Sequence, residues 1–348
     1  MCSGKGGLMN PFVLCIKLLL LSVTLLAAPM NWEFPSDHGI HPDYDTEWYY
    51  ITGHLVDTNN TLHGFQVTFF RHKLSQVKDS SSLWNSPHLY TAHFAFTNGE
   101  TDAFYHDETM GRASFGLADG STNHMNIFIN DWQLNMVNNT IQISIKSKEH
   151  DFKLNVTPAK PILFHGDNGF SQKSTNKDRF SYYYSFTRLE GNGTYSNGSK
   201  TYTFKSASAW MDREIFNTLL DNEQIGWDWF AIQLDDGTDI MAFQVRSDSK
   251  TPYYSGTIFP KIGKQITLTK NDFSLTPLAY WTSPKSKQQY PTTWQLQIPK
   301  HDIDVTIKAR YEYQELHNTV PFPFYYWEGQ SLVSGSHQGR AYMELVGY

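Results

Sequence analysis

Cysteine is almost missing from this chain of 348 residues, and the two present, Cys2 and Cys15, both lie near its start. Past Cys15 no thiol exists, which excludes a disulfide framework and a thiolate nucleophile there. Charge is also scarce: 18% of residues are charged, against 40% hydrophobic and 15% aromatic. Disordered chains and coiled coils need many charges and few aromatics, so both are excluded. A net charge of -6 offers no general attraction to nucleic acid or anionic lipid surfaces, which recruit Lys and Arg. No nucleic-acid partner is expected. Gly-x-Ser-x-Gly, His-Glu-x-x-His, the phosphate-binding loop and Gly-x-Gly-x-x-Gly are all absent, and no cofactor or metal is expected. Gly335-Ser336-His337-Gln338-Gly339 carries its Ser one place early for a nucleophile elbow and reads as a hairpin loop.

One long apolar run is present, from Pro11 to Ala28, with Lys17 inside it and small residues just before Pro29. It is short for a membrane span of about 20 apolar residues. A weakly basic start, an apolar middle and small residues at the end predict a secretory signal over residues 1–28. The mature protein is then expected outside the cytoplasm, secreted or periplasmic.

Period-2 alternation recurs along the rest of the chain, as in Ile141, Ile143, Ile145; Phe65, Val67, Phe69; Phe152, Leu154, Val156; Phe230, Ile232, Leu234; Ile303, Val305, Ile307; and Ala341, Met343, Leu345. Such stretches are half-buried strands. Leu234-Asp235-Asp236-Gly237 reads as a tight hairpin turn. One short helix is predicted from Asp212 to Leu220, on the helical spacing of Ile215, Phe216, Leu219 and Leu220. Many strands with almost no crossover helix indicate an all-β fold of antiparallel sheets, closed into barrels or stacked as sandwiches.

A weak internal repeat favours barrels. Glu47-Trp48-Tyr49-Tyr50-Ile51 leads through a turn to Phe65–Arg71, and Asp228-Trp229-Phe230-Ala231-Ile232 leads through a turn to Met241–Arg246. Both halves place an acid and a Trp on a first strand and an Arg at the end of a second. A Trp with an Arg stacked over it closes small barrels, through a cation–π attraction of about 0.5–2 kcal/mol. The expected pairs are Trp48 with Arg71 and Trp229 with Arg246.

Four clusters carry chemical potential. Asp37 to Trp48 gathers His38, His41, Glu47 and Trp48, which suit Asx-type turns, a metal or the lining of a pocket. Trp210-Met211-Asp212-Arg213-Glu214 flanks an Arg with two acids, so that one carboxylate can be held ionised while the other shifts its pKa. In Gly226-Trp227-Asp228-Trp229-Phe230, alternation places both Trp residues on one face and Asp228 on the other. Pro321 to Gly329, with Trp327 and Glu328, is too aromatic to stay solvated.

With these clusters identified, the sequence resembles the AttH-like secreted proteins related to carotenoid 1,2-hydratase, often labelled predicted secreted hydrolases. The resemblance rests on Asp37-His38-Gly39, Thr46-Glu47-Trp48, Gly64-Phe65-Gln66, Ser181–Ser185 around Tyr183, Ala209–Glu214, Gly226–Phe230, Tyr326–Gly329 and Glu344-Leu345. It implies two tandem lipocalin-like (calycin) antiparallel barrels with very little helix, divided here as 29–213 and 214–348. The hydratase branch reads Asp-His-Asn-Trp where this chain has Asp212-Arg213-Glu214-Ile215, which argues against carotenoid hydration. The secreted branch usually has Trp at the place of Ile215, so an indole is missing from the presumed pocket.

Two functions fit. One is binding or carriage of a hydrophobic, lipid- or isoprenoid-like molecule, since eight-stranded barrels enclose one small ligand. The other is addition of water to such a molecule, by hydration or hydrolysis. The candidate catalytic residues are Asp212, Arg213 and Glu214. The candidate ligand-binding residues are His38, His41, Glu47, Trp48, Tyr183, Trp210, Trp227, Asp228, Trp229, Trp327 and Glu328. Transient association with an envelope export system is a third expectation.

Overall fold

The structure is a computed structural model that describes residues 29–74, 86–248 and 251–348. The expected signal segment and both cysteines lie outside the described residues. Among the described residues no helix is long and apolar enough to cross a membrane. The helical pieces described there are two three-residue 3-10 turns, Ser36–His38 and Pro299–His301.

The first sheet opens with a meander of β1 (Thr46–Asp57), β2 (Leu62–Lys73), β3 (His88–Asn98) and β4 (Ala103–Arg112). A second meander holds β5 (Ala118–Gly120), β6 (Asn126–Ile129), β7 (Trp132–Val137), β8 (Thr140–Lys146) and β9 (Asp151–Pro158). After the short β10 (Leu163–Phe164) and β11 (Phe170–Gln172), the long β12 (Phe180–Ser196) and β13 (Thr201–Phe216) join the two by pairing with β9 and β1. The sheet curls until β4 lies beside β5 and β6.

The second sheet begins with β14 (Gln224–Leu234), β15 (Asp239–Ser247), β16 (Tyr253–Phe259) and β17 (Ile266–Thr269). It continues through β18 (Ser274–Thr282), β19 (Gln289–Ile298), β20 (Ile303–Ala309), β21 (Glu315–Asn318), β22 (Phe324–Gly335) and β23 (Gly339–Val346), which returns to pair with β14. The fold is thus all-β, with two antiparallel barrels in tandem. In each, the repeated hairpin supplies the first two strands and the first strand pairs with the last, β1 with β13 and β14 with β23. The Asp-Gly hairpin forms as expected, with Gly237 at φ +92°.

Alternation fills each barrel with its own core. Phe65, Phe94, Phe96, Phe152, Leu154 and Tyr195 pack in the first, and Phe230, Trp294, Leu296, Ile307, Trp327 and Leu345 in the second. Two further apolar clusters lie on the opposite faces of these strands, where the barrels meet: Tyr50, Tyr183, Trp210, Trp229 and Phe243, and beside them Ala95, Leu316, Tyr326 and Val346.

Three expectations need correction. Asp212 to Phe216 is the end of β13, not a helix, and residues 217–223 form a connecting segment. The apolar spacing there fits a helix, but pairing of Asp212, Arg213 and Glu214 with both β1 and β12 satisfies the backbone as strand. The change of sheet falls between Phe216 and Gln224 rather than at 213, because β13 needs those residues to complete its pairing with Thr46 and Glu47.

The third correction concerns barrel closure. Glu47 and Arg71 are cross-strand neighbours and point into the end of the first barrel, where Arg71 Nε and Arg213 Nη2 each hold one Glu47 oxygen. The Arg213 guanidinium lies 4.0 Å over the Tyr49 ring. In the second barrel Asp228 accepts bonds from Gln244 Nε2 at 2.7 Å and Tyr348 OH at 2.5 Å, with Arg246 Nε at 3.2 Å. Arg246 stacks at 3.8 Å over Tyr348. Trp48 and Trp229 do not cover these arginines. Each is one residue from the acid, so each faces out of its barrel.

Candidate active site

The outward faces of both barrels converge on a cavity of about 110 Å³. Its first wall comes from Trp48 and Tyr50 on β1, Thr68 and Phe70 on β2, His93 on β3, and Asp212 and Glu214 on β13. Trp227 and Trp229 of β14, Phe243 and Val245 of β15, Tyr326 and Glu328 of β22, and Glu344 of β23 form the second. Leu219 and Leu220, in the segment between the barrels, and Lys173 complete it. Strand register aligns the polar members: Tyr50 lies opposite Asp212, and Glu328 lies opposite Glu344.

Asp212 is the most heavily bonded carboxylate of the cavity. Trp210 Nε1 donates to Oδ1 at 2.6 Å, Ser185 Oγ donates to the same oxygen, and Tyr183 OH donates to Oδ2 at 2.5 Å. Trp229 Nε1 in turn donates to Tyr183 OH at 3.0 Å. Burial raises the Asp212 pKa to about 7, and the three donors hold it from rising further. Behind Ser185, His165 Nε2 lies 2.7 Å from Oγ and His165 Nδ1 lies 3.0 Å from Thr257 Oγ1. Burial and nearby Lys173 keep this imidazole well below its ordinary pKa. Because Ser185 donates to Asp212, its oxygen accepts from Nε2–H, and Nδ1 accepts from Thr257. One chain of donors therefore runs from the second barrel to Asp212 in the first.

Glu328 and Glu344 have fewer partners. Tyr50 OH donates to Glu328 at 2.9 Å, and Trp227 Nε1 donates to Glu344 at 3.0 Å. Burial raises Glu344 to about 8, helped by the charges of Glu214 and Asp212. Burial and neighbouring Glu344 push Glu328 well above the ordinary range. Glu214 is different. Lys173 Nζ pairs with it at 2.9 Å and Ser181 Oγ donates to it, while the ammonium lies 4.5 Å from both the Tyr183 and Phe243 rings.

The structure brings together Trp48, Tyr183, Trp210, Asp212, Glu214, Trp227, Trp229 and Glu328 around this cleft. It places the remaining candidates elsewhere. Arg213 alternates away from Asp212 and Glu214 and pairs with Glu47 inside the first barrel, so it holds neither carboxylate ionised. Ile215 shares the Arg213 face, and a Trp there would not reach the cleft. His41 joins Glu47 and Asp37 at that barrel end, and His38 bonds Tyr184 OH at 2.7 Å. Asp228 and Trp327 face the second barrel's interior, Trp327 Nε1 donating to the Glu312 carbonyl at 2.6 Å.

Glu344, Tyr50, His93, Lys173, Phe243, Ser185 and His165 are among the members that sequence reasoning missed. Alternation signalled Glu344, since Met343 and Leu345 are core residues and their neighbour must face outward. No sequence signal places Lys173 or His165, which arrive from irregular segments.

A candidate AttH from Nitrosomonas europaea, solved by crystallography, superposes with a TM-score of 0.84 at 29% identity, covering 93% of this chain and 99% of that one. Kievitone hydratase from Nectria haematococca shares the fold, with a TM-score of 0.70 at 17% identity over 93% of this chain and 94% of that one. CghA with Sch210972 gives 0.53 at 10% identity, covering 87% and 88%. No curated protein is similar enough in sequence to match. The model of the family described as AttH-like matches residues 26–348, nearly all of the chain, and the protein belongs to that family.

Proposed function

We propose that the cleft between the barrels adds water to a carbon–carbon double bond at the apolar end of a small molecule. The observation that carries this reading is a set of buried carboxyl groups facing an aromatic cavity, with no counter-charge for Glu328 and Glu344 among the described residues. Glu344, neutral at pH 7, gives its proton to one alkene carbon. The cation left on the other carbon is stabilised by the faces of Trp48, Trp227 and Trp229. Water adds to that carbon, and its surplus proton goes to Asp212, which its three donors favour as carboxylate. Glu344 and Asp212 then re-equilibrate with solvent, so the net change is one water added. The cavity is smaller than the ~150 Å³ engineered cavity that holds a benzene. It takes a prenyl-sized end, and the remainder of the molecule lies at the mouth beside Phe324.

Carriage of an apolar ligand without chemistry is the second reading, favoured by the aromatic lining alone. Incubating the protein with geraniol and prenylated phenols in ¹⁸O-labelled water separates the two. Mass gain of one labelled water, lost in Glu344→Gln, supports hydration. Binding with no label uptake supports carriage. We also place the protein outside the cytoplasm, on the signal-like segment 1–28, and intact mass of the exported protein tests this.

A further inference from the structure

A second polar layer lies beside the cleft, one pleat further along the same strands. Thr52 and Gln66 are cross-strand partners on β1 and β2, and Gln330 and Tyr342 are partners on β22 and β23. Each sits two residues from a cleft residue: Thr52 from Tyr50, Gln66 from Thr68, Gln330 from Glu328 and Tyr342 from Glu344. Two residues along a strand keep the same face and advance about 7 Å. His54, two residues beyond Thr52, completes the layer.

All five side chains are buried, none more than 3% exposed. Yet among the described residues Thr52 Oγ1, Gln66 Oε1 and Tyr342 OH have no hydrogen-bond partner, and His54 Nδ1 and the Gln330 amide have at most each other. Buried polar side chains in native proteins are almost always satisfied by protein or ordered water. Here donors and acceptors are mixed. His54 Nε2 lies 3.1 Å from the Ala341 carbonyl and donates to it, which leaves Nδ1 as an acceptor. A side chain at Gly64 would collide with Gln330, its Cβ falling 2.9 Å from Gln330 Cδ, so a glycine leaves room for the amide between the barrels. A cavity of about 10 Å³ opens against Thr52, His54 and Tyr342, about the space one water requires.

We infer that this layer is a water-binding site that feeds the cleft from its Glu328 side, with Thr52, His54 and Tyr342 positioning the water. The inference rests on the hydration reading for its purpose. Gln66 provides the link, because its amide nitrogen donates to Thr68 Oγ1 on the cleft wall while its oxygen has no partner among the described residues. Water reaching Glu328 here approaches from the side opposite the mouth, so a bound apolar molecule need not move to admit it.

Oxygen-17 magnetic relaxation dispersion counts long-lived internal waters in the intact protein, and Thr52→Val with Tyr342→Phe removes two of the layer's polar atoms at nearly constant shape. The expected result is a lower water count in the double variant, unchanged binding of geraniol followed by tryptophan fluorescence, and hydration slowed about 100-fold. An unchanged count overturns the site. A lower count with undiminished hydration overturns its feeding role. If the double variant does not fold, Thr52→Val alone is read in the same way. If the wild-type protein hydrates none of the probes, the hydration reading fails, and the wild-type count against either variant still decides whether the layer binds water.

Discussion

Glu47 and Glu344 are both glutamates inside the protein, and their surroundings give them opposite charge states. Glu47 lies between two arginines, whose charges hold its carboxyl well below the usual range. Among the described residues Glu344 has one indole N–H and no cation beside it, and burial lifts it to about 8. A buried acid with full counter-charge fixes the closed end of a barrel. One without it keeps its proton in an apolar cleft, where that proton is available for chemistry. Asp228 repeats the first arrangement in the second barrel, although its single, more distant arginine leaves burial dominant and its pKa raised.

The comparison is broken most directly at Glu47. Glu47→Gln leaves two buried guanidinium groups short of their partner and should cost about 3–5 kcal/mol in denaturant unfolding. A loss under about 1 kcal/mol would show that the network is solvated. Glu344→Gln should leave stability at pH 7 within about 1 kcal/mol of wild type, since an amide replaces a neutral acid, while water addition falls about 10²- to 10⁴-fold.

The pH dependence sharpens the contrast, because the two glutamates carry opposite signs. A group whose pKa rises from 4.5 to about 8 on folding binds its proton more tightly when folded, so its contribution falls as pH climbs through that interval and levels off above it. Asp212 adds the same sign between 3.8 and about 7. Glu47 stabilises above the ordinary glutamate range, and its contribution is lost on acidification. Thermal melts should show greatest stability on the acid side of neutrality, and Glu344→Gln should flatten the decline toward pH 8. A decline of equal slope in that variant would assign it to other groups.

Smaller effects are expected where one donor is removed. Ser185→Ala takes one of three hydrogen bonds from Asp212, should cost about 1 kcal/mol and should move the Asp212 pKa upward. Trp229→Phe keeps the ring between Tyr50 and Trp210 but loses the bond to Tyr183, again about 1 kcal/mol. Trp229→Ala should cost about 3–5 kcal/mol, as for a core aromatic.

The strands and the two-barrel repeat were legible in the sequence because alternation and the paired acid–Trp hairpins are local patterns. The site was only half legible. Trp48, Asp212, Trp227 and Trp229 were found because aromatics and acids cluster around them. Reading Asp212 to Leu220 as helix then joined Arg213 to Asp212 and Glu214, although in a strand adjacent residues part to opposite faces. His38, His41 and Glu47 looked like a site because barrel closure and catalysis use the same side chains. Lys173 and His165 reach the cleft by long-range packing, which no local pattern records.

Carboxyl-carbon NMR titration of glutamate-labelled protein, with Glu344→Gln and Glu47→Gln to assign the signals, tests the central claim most directly. The account predicts that Glu344 keeps its proton at pH 7 and loses it near pH 8, while Glu47 remains ionised below the ordinary glutamate range. Titration of Glu344 near 4.5, the value of a free glutamate, would contradict it.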